Sequence, residues 1–130
     1  MIEYSLSDSL LFTYIIGKEK LFIDQQYVDS GFTQNCFKFY DVLTSQTFSN
    51  NVLKTYKDYT RLGMDLYKVL IKPYEDQIGS KNLIIIPDGQ ISYVPFEAML
   101  TSAVDTTRVR YYNLPYFLKR NASSMSYSAT

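Results

Sequence analysis

The sequence predicts an α/β fold, and three stretches carry that expectation. Leu83, Ile84, Ile85 and Ile86 follow one another without polar alternation, the pattern of a strand buried on both faces, as in a parallel sheet covered by helices. Upstream, Val52, Tyr56, Tyr59, Leu62, Leu66, Val69 and Leu70 keep the helical period as far as Pro73, which marks the best-supported helix of the chain. Near the start, Leu10 to Ile16 reads LLFTYII, a run of branched and aromatic residues suited to a strand.

Taken in order, Met1 to Leu6 is a weaker strand, and Ser7-Asp8-Ser9 turns it into Leu10–Ile16 as a hairpin. Gly17-Lys18-Glu19-Lys20 forms the next turn before Leu21-Phe22-Ile23. Residues 1–31 therefore read as a three-stranded antiparallel meander, an edge element whose turn lysines discourage pairing with a neighbouring chain. Residues 32–80 hold two helices. Phe32, Cys36, Phe39, Tyr40 and Leu43 recur at three- and four-residue steps on one face of a helix starting near Thr33. Ser49, Asn50 and Asn51 are N-cap candidates for the second helix. Gly63 inside it costs about 1 kcal/mol relative to alanine, so either close packing against another backbone or simple tolerance accounts for it.

Residues 81–130 hold the core strands. Gly79-Ser80-Lys81-Asn82 leads into Leu83–Ile86, and Pro87-Asp88-Gly89 ends that strand. Proline presets φ for a turn, aspartate bonds the local backbone, and glycine accepts the positive φ of the exit. Ile91, Tyr93 and Val94 resume an extended pattern, and Pro95 opens a short helix carrying Phe96, Met99 and Leu100. Thr101 to Asn113 reads as a variable loop or small hairpin. Leu114 to Lys119 is a helical turn starting at Pro115, and Ala122 to Tyr127 a short strand parallel to Leu83–Ile86.

A chain of 130 residues is within the range of one domain. Thirteen basic and thirteen acidic residues cancel, so no net field favours nucleic acid or an anionic membrane. The aromatic content lies in 13 tyrosines and 8 phenylalanines, residues that bury a ring and, for tyrosine, keep a polar tip. One cysteine cannot form an internal disulfide, which points to a reducing compartment and hence the cytoplasm. Met1 to Phe12 carries Glu3 and Asp8 and lacks a basic n-region, unlike a secretory signal. No apolar run reaches the roughly 20 residues of a membrane span.

Pro87-Asp88-Gly89, Ser92-Tyr93 and Pro95-Phe96-Glu97-Ala98 together resemble the signature of the CHAT domain, a family of caspase-like and separase-like cysteine peptidases often found behind tetratricopeptide repeats. The likeness extends to Arg61-Leu62-Gly63, Leu66-Tyr67, Leu70 and Lys72-Pro73 before the signature. After it come Tyr116-Phe117-Leu118 and Met125-Ser126-Tyr127-Ser128. It implies the N-terminal part of a caspase-like, Rossmann-like three-layer domain. Its signature residues, Pro87, Asp88, Gly89, Ser92, Tyr93, Pro95, Phe96, Glu97, Ser126 and Tyr127, are then mainly structural. The family's chemistry uses a histidine and a cysteine from further along the chain. Here there is no histidine, and Cys36 in GFTQNCFKF lies far upstream in a setting unlike the family's nucleophile. The expectation is a non-catalytic N-terminal portion of a peptidase-like protein; the alternative is an inactive module for protein–protein interaction.

Each candidate site has a plainer explanation beside it. Asp88 ends a parallel strand, where α/β proteins bind ligands, but its turn role accounts for it without a ligand. Glu97 in a first helical turn suits the positive helix end, with a secondary part in shaping a substrate groove if the resemblance holds. Arg108, Arg110, Lys119 and Arg120 interleave with Tyr111, Tyr112, Tyr116 and Phe117, a mixture that can stack on single-stranded nucleic acid; zero net charge argues against it. Cys36 on an aromatic-flanked helix face reads as a small hydrophobe. No phosphate-cradling glycine loop follows a strand, and nitrogen or sulfur metal ligands are lacking, so no cofactor is expected. The expected partners are the remainder of a CHAT domain or another protein, or a second copy, because the parallel strands need covering.

Overall fold

The computed structural model describes residues 1–44 and 51–126. It is an α/β structure built on one five-stranded sheet: β1 (Ile2–Ser7), β2 (Leu10–Ile16), β3 (Leu21–Tyr27), β4 (Leu83–Ile86) and β5 (Ser123–Met125). The helices are α1 (Ser30–Thr44), α2 (Val52–Leu70), α3 (Glu75–Ile78) and α4 (Phe117–Arg120). Spatial order in the sheet is β3-β2-β1-β4-β5.

The meander forms as its sequence implies. Leu6 pairs with Leu11 and Ile2 with Ile15 across β1 and β2, and Ile15 pairs with Phe22 across β2 and β3. It is not confined to an edge, however: β1 also runs parallel to β4, with Ile2 beside Ile85. Only β3 is a margin on that side. β5 lies parallel to β4 as expected, Leu83 beside Ser123, while Tyr127 and the N-cap candidates Ser49 and Asn50 lie outside the described residues.

All the buried strand residues, namely Ile2, Tyr4, Leu11, Thr13, Ile15, Leu83 and Ile85, share one face, and the helices pack there. The other face carries Phe12, Tyr14, Ile23, Ile84 and Ile86, none of them buried. The described residues thus make two layers. This corrects the expectation that Leu83–Ile86 is covered on both sides: Ile84 is 46% exposed, because a lack of alternation in sequence says that both faces are apolar and not that both are covered.

α2 begins at Asn51, whose side-chain oxygen accepts from Lys54 N–H at 3.0 Å, leaving the helix period intact to Leu70. Gly63 meets the close packing anticipated for it. A Cβ there would stand 3.3 Å from Phe39 Cε1 and 3.5 Å from the Leu100 backbone nitrogen, and Leu100 N–H donates to the Gly63 carbonyl. α1 starts at Ser30 rather than Thr33, because Asp29 Oδ1 accepts from Phe32 N–H at 3.0 Å and caps it earlier. Its buried face is Phe32, Cys36 and Phe39. Tyr40 and Leu43 are exposed: α1 meets α2 through Phe39, whose ring stacks on that of Tyr59, while Tyr40 packs edge-on against Tyr93.

Downstream of β4 the expected extended piece is a 3₁₀ helix, Gly89–Tyr93. Ile91 and Val94 are both buried while Tyr93 is 48% exposed, so the apolar period there is three, as 3₁₀ geometry requires, and not two. The Pro95 helix is a single 3₁₀ turn, Phe96–Ala98. Leu114 to Lys119 contributes α4, starting two residues after Pro115, and the loop before it forms no hairpin, its one sheet-like link being a bridge between Leu100 and Tyr116.

Candidate functional site at the carboxyl ends of β1 and β4

β1 and β4 run parallel; β4 ends at Ile86 beside Glu3 while β1 continues to Ser7, and the chain leaving β4 follows β1 to the same carboxyl end of the sheet, the place where α/β sheets offer ligands a crevice. The β1–β2 turn, the start of α1 and the turn after β4 surround a cleft of about 490 Å³ whose lining includes Leu6, Asp8, Asp29, Thr33, Asp88 and Gly89.

Asp88 holds this corner together. Its Oδ2 accepts from Leu6 N–H at 2.8 Å, tying the exit of β4 to the last turn of β1. The local backbone bond expected of it is replaced by this one across the sheet, because Asp88 is extended (φ −139°, ψ 145°) and so points its carboxylate sideways. Gly89 follows at φ +55°, in the left-handed region that glycine adopts without steric cost, and turns the chain into the 3₁₀ helix. Asp8 also has positive φ, 48°, in the tight β1–β2 turn, a conformation aspartate tolerates better than most residues.

Of the signature residues, Asp88 and Gly89 reach the cleft, and the others serve the fold. Pro87 is buried beside them. Phe96 is buried and stacks on Tyr4 with ring centroids 5.9 Å apart. Ser92 and Pro95 are half-buried and Glu97 is exposed. Tyr93 covers α1 through Phe37, 4.8 Å between centroids. Ser126 N–H donates to the Ile85 carbonyl at 2.9 Å and extends the β4–β5 ladder. Asp8 and Asp29 join the cleft without having been singled out in the sequence as site residues. Their signals were positional: each is an aspartate at the first residue past a strand or just before a helix, and both such loops open at the same end of a parallel pair.

The cleft offers carboxylates and hydroxyls. Among the described residues no cluster of three metal-ligating side chains forms. Asp88 and Asp29 already accept backbone N–H bonds, and Ser9, Ser30 and Thr33 have no histidine to act as their base, since the chain has none. Cys36 stands apart from the cleft lining. It is fully buried, and burial pushes its thiol up to about 12, the opposite of what a nucleophilic thiolate needs.

The basic–aromatic segment is absorbed by packing in part: Tyr112 is 84% exposed and Arg108 and Arg110 are exposed, but the other members are engaged. Arg120 pairs with Glu75 at 3.2 Å and donates to the Tyr67 hydroxyl. Lys119 lies over the Tyr116 ring, Tyr111 packs edge-on against Tyr56, and Phe117 is fully buried. The rings of Tyr111, Tyr116 and Phe117 are thus engaged within the fold, which leaves Tyr112 as the open ring of the set. Comparison of the chain with protein-family models, with curated proteins and with solved structures gives no match. No helix among the described residues is long and apolar enough to cross a membrane.

Proposed function

We propose that this chain is the N-terminal, non-catalytic portion of a CHAT-like domain whose complete form resembles a caspase-like cysteine endopeptidase. In that chemistry a thiolate attacks a peptide carbonyl while histidine accepts and returns the proton; this chain supplies the scaffold under such a site and none of its reacting groups. The observation that carries the reading is the sheet itself. Two parallel strands end at a cleft, and their outer face, with Ile84 and Ile86 at its centre, is left uncovered, as a three-layer domain would leave it before its second helical layer is added. The protein acts in the cytoplasm in this reading.

A scaffold module for protein–protein contact is the second reading. It is favoured by the absence of histidine together with the burial of the one cysteine. The deciding experiment is the intact mass of the natural polypeptide captured with an antibody to this segment, with peptide sequencing past Thr130. A continuation that supplies a histidine and a strand-end cysteine supports the peptidase-like reading. A polypeptide that ends at Thr130 overturns it in favour of the scaffold.

A further inference from the structure

The margin formed by β3 has features that the proposed function does not use. Two bonds fix which of its backbone groups are free. Gly17 N–H donates to the Lys20 carbonyl and Val28 N–H to the Ser9 carbonyl, and the register between them runs unbroken through all seven residues of the strand. Hydrogen-bonded residues alternate in an antiparallel ladder. Phe22, Asp24 and Gln26 therefore face β2, and Leu21, Ile23, Gln25 and Tyr27 direct their N–H and C=O groups outward.

Such an edge invites another strand unless lysine, proline or a bulge blunts it. β3 has none of the three; Lys18 and Lys20 precede the strand, in the turn. Its outer-face side chains are open, and three of the four are apolar: Leu21 at 62%, Ile23 at 56% and Tyr27 at 86% exposure, with Gln25, also exposed, between them.

We propose that β3 pairs with β3 of a second copy, antiparallel about a two-fold axis at Gln25, joining the two sheets into one. The outward groups admit only registers that set these odd-numbered residues opposite one another. Centring on Asp24 would set two carboxylates face to face, and like charges directly opposite are unfavourable. Moving the axis one residue along relieves this. Ile23 then faces Tyr27 of the other copy, an aromatic–branched pair of the favourable kind, and Asp24 faces a Gln26 amide. The Ile23–Tyr27 and Asp24–Gln26 pairs each occur twice by symmetry, as an isologous contact requires.

The test is sedimentation equilibrium of the whole chain across a range of concentrations, with three variants. Wild-type protein is expected to form dimers. Ile23→Lys and Gln25→Pro are expected to be monomeric with unchanged circular dichroism, because the Gln25 N–H does not serve the β2 ladder. Gln25→Cys is expected to give a covalent dimer under mild oxidation faster than Ile23→Cys, with Cys36 too buried to compete. A wild-type monomer at every concentration overturns the proposal, as does a dimer that survives both Ile23→Lys and Gln25→Pro, or faster cross-linking at Ile23→Cys.

Discussion

Asp88 shows how much one carboxylate can hold when it reaches across a sheet. It bonds the backbone of Leu6, and an exposed charge-assisted bond of this kind contributes about 1 kcal/mol. Asp88→Ala should therefore lower the stability read from urea midpoints by about that amount, while Asp88→Asn, which keeps an acceptor, should lose less. The buried tyrosines act through their protonation state. Burial raises the hydroxyl pKa of Tyr4, Tyr59, Tyr67 and Tyr74, and the Glu75 carboxylate raises Tyr67 further. Tyr4 donates to the Leu70 carbonyl and Tyr59 to that of Ala98, each at 2.5 Å. The fold therefore favours their protonated forms. This part of the stability is complete below the ordinary tyrosine value of 10.0 and is lost as pH rises through the elevated values. Urea midpoints should stay flat with respect to these groups up to that pH and fall above it, with tyrosinate absorbance rising as the protein unfolds. At this scale the sequence made Gly89 legible, since a turn after a strand needs positive φ. It hid the partner of Asp88, because no local pattern names a residue on a strand at the far end of the chain.

The elements were readable where one face of a segment decides everything. α2 has an apolar stripe, a capping asparagine and a proline just beyond its end, and all three agree. Its glycine gives a sharp test of the packing. The space at Gly63 is bounded by Phe39 and Leu100, so Gly63→Val should destabilise by about 1–3 kcal/mol through overpacking, measured by thermal or urea unfolding. Gly63→Ala should stay within about 1 kcal/mol of wild type, because its gain in helix propensity offsets the 3.3 Å contact with a ring edge. The elements were least readable where they are short. Ile91, Tyr93 and Val94 fit an extended strand and a 3₁₀ turn equally well in sequence, and Val94 N–H bonding back to the Ile91 carbonyl selects the turn. Tyr40 and Leu43 fit the α1 stripe by spacing, yet their exposure follows from where α2 crosses, which spacing alone does not contain.

Across the whole molecule, the class of fold was legible and the sheet order was not. Hairpin turns announce β1, β2 and β3 as neighbours, whereas the insertion of β4 beside β1 is a pairing between distant segments. Leu6 and Asp88, which seal that junction, stand 82 residues apart. Asn121 seals the opposite end in the same way, its amide donating to the carbonyls of Gly79 and Lys81. Non-local pairings of this kind slow folding because chain entropy is lost before the contacts form. The central position of β1 therefore sets an order of events during synthesis. The meander can zip up as soon as its third strand has emerged, but one side of β1 stays without a partner until residue 86 has been made. Within the meander β1 is thus closed in late, and during that interval a foreign strand competes with β4 for it.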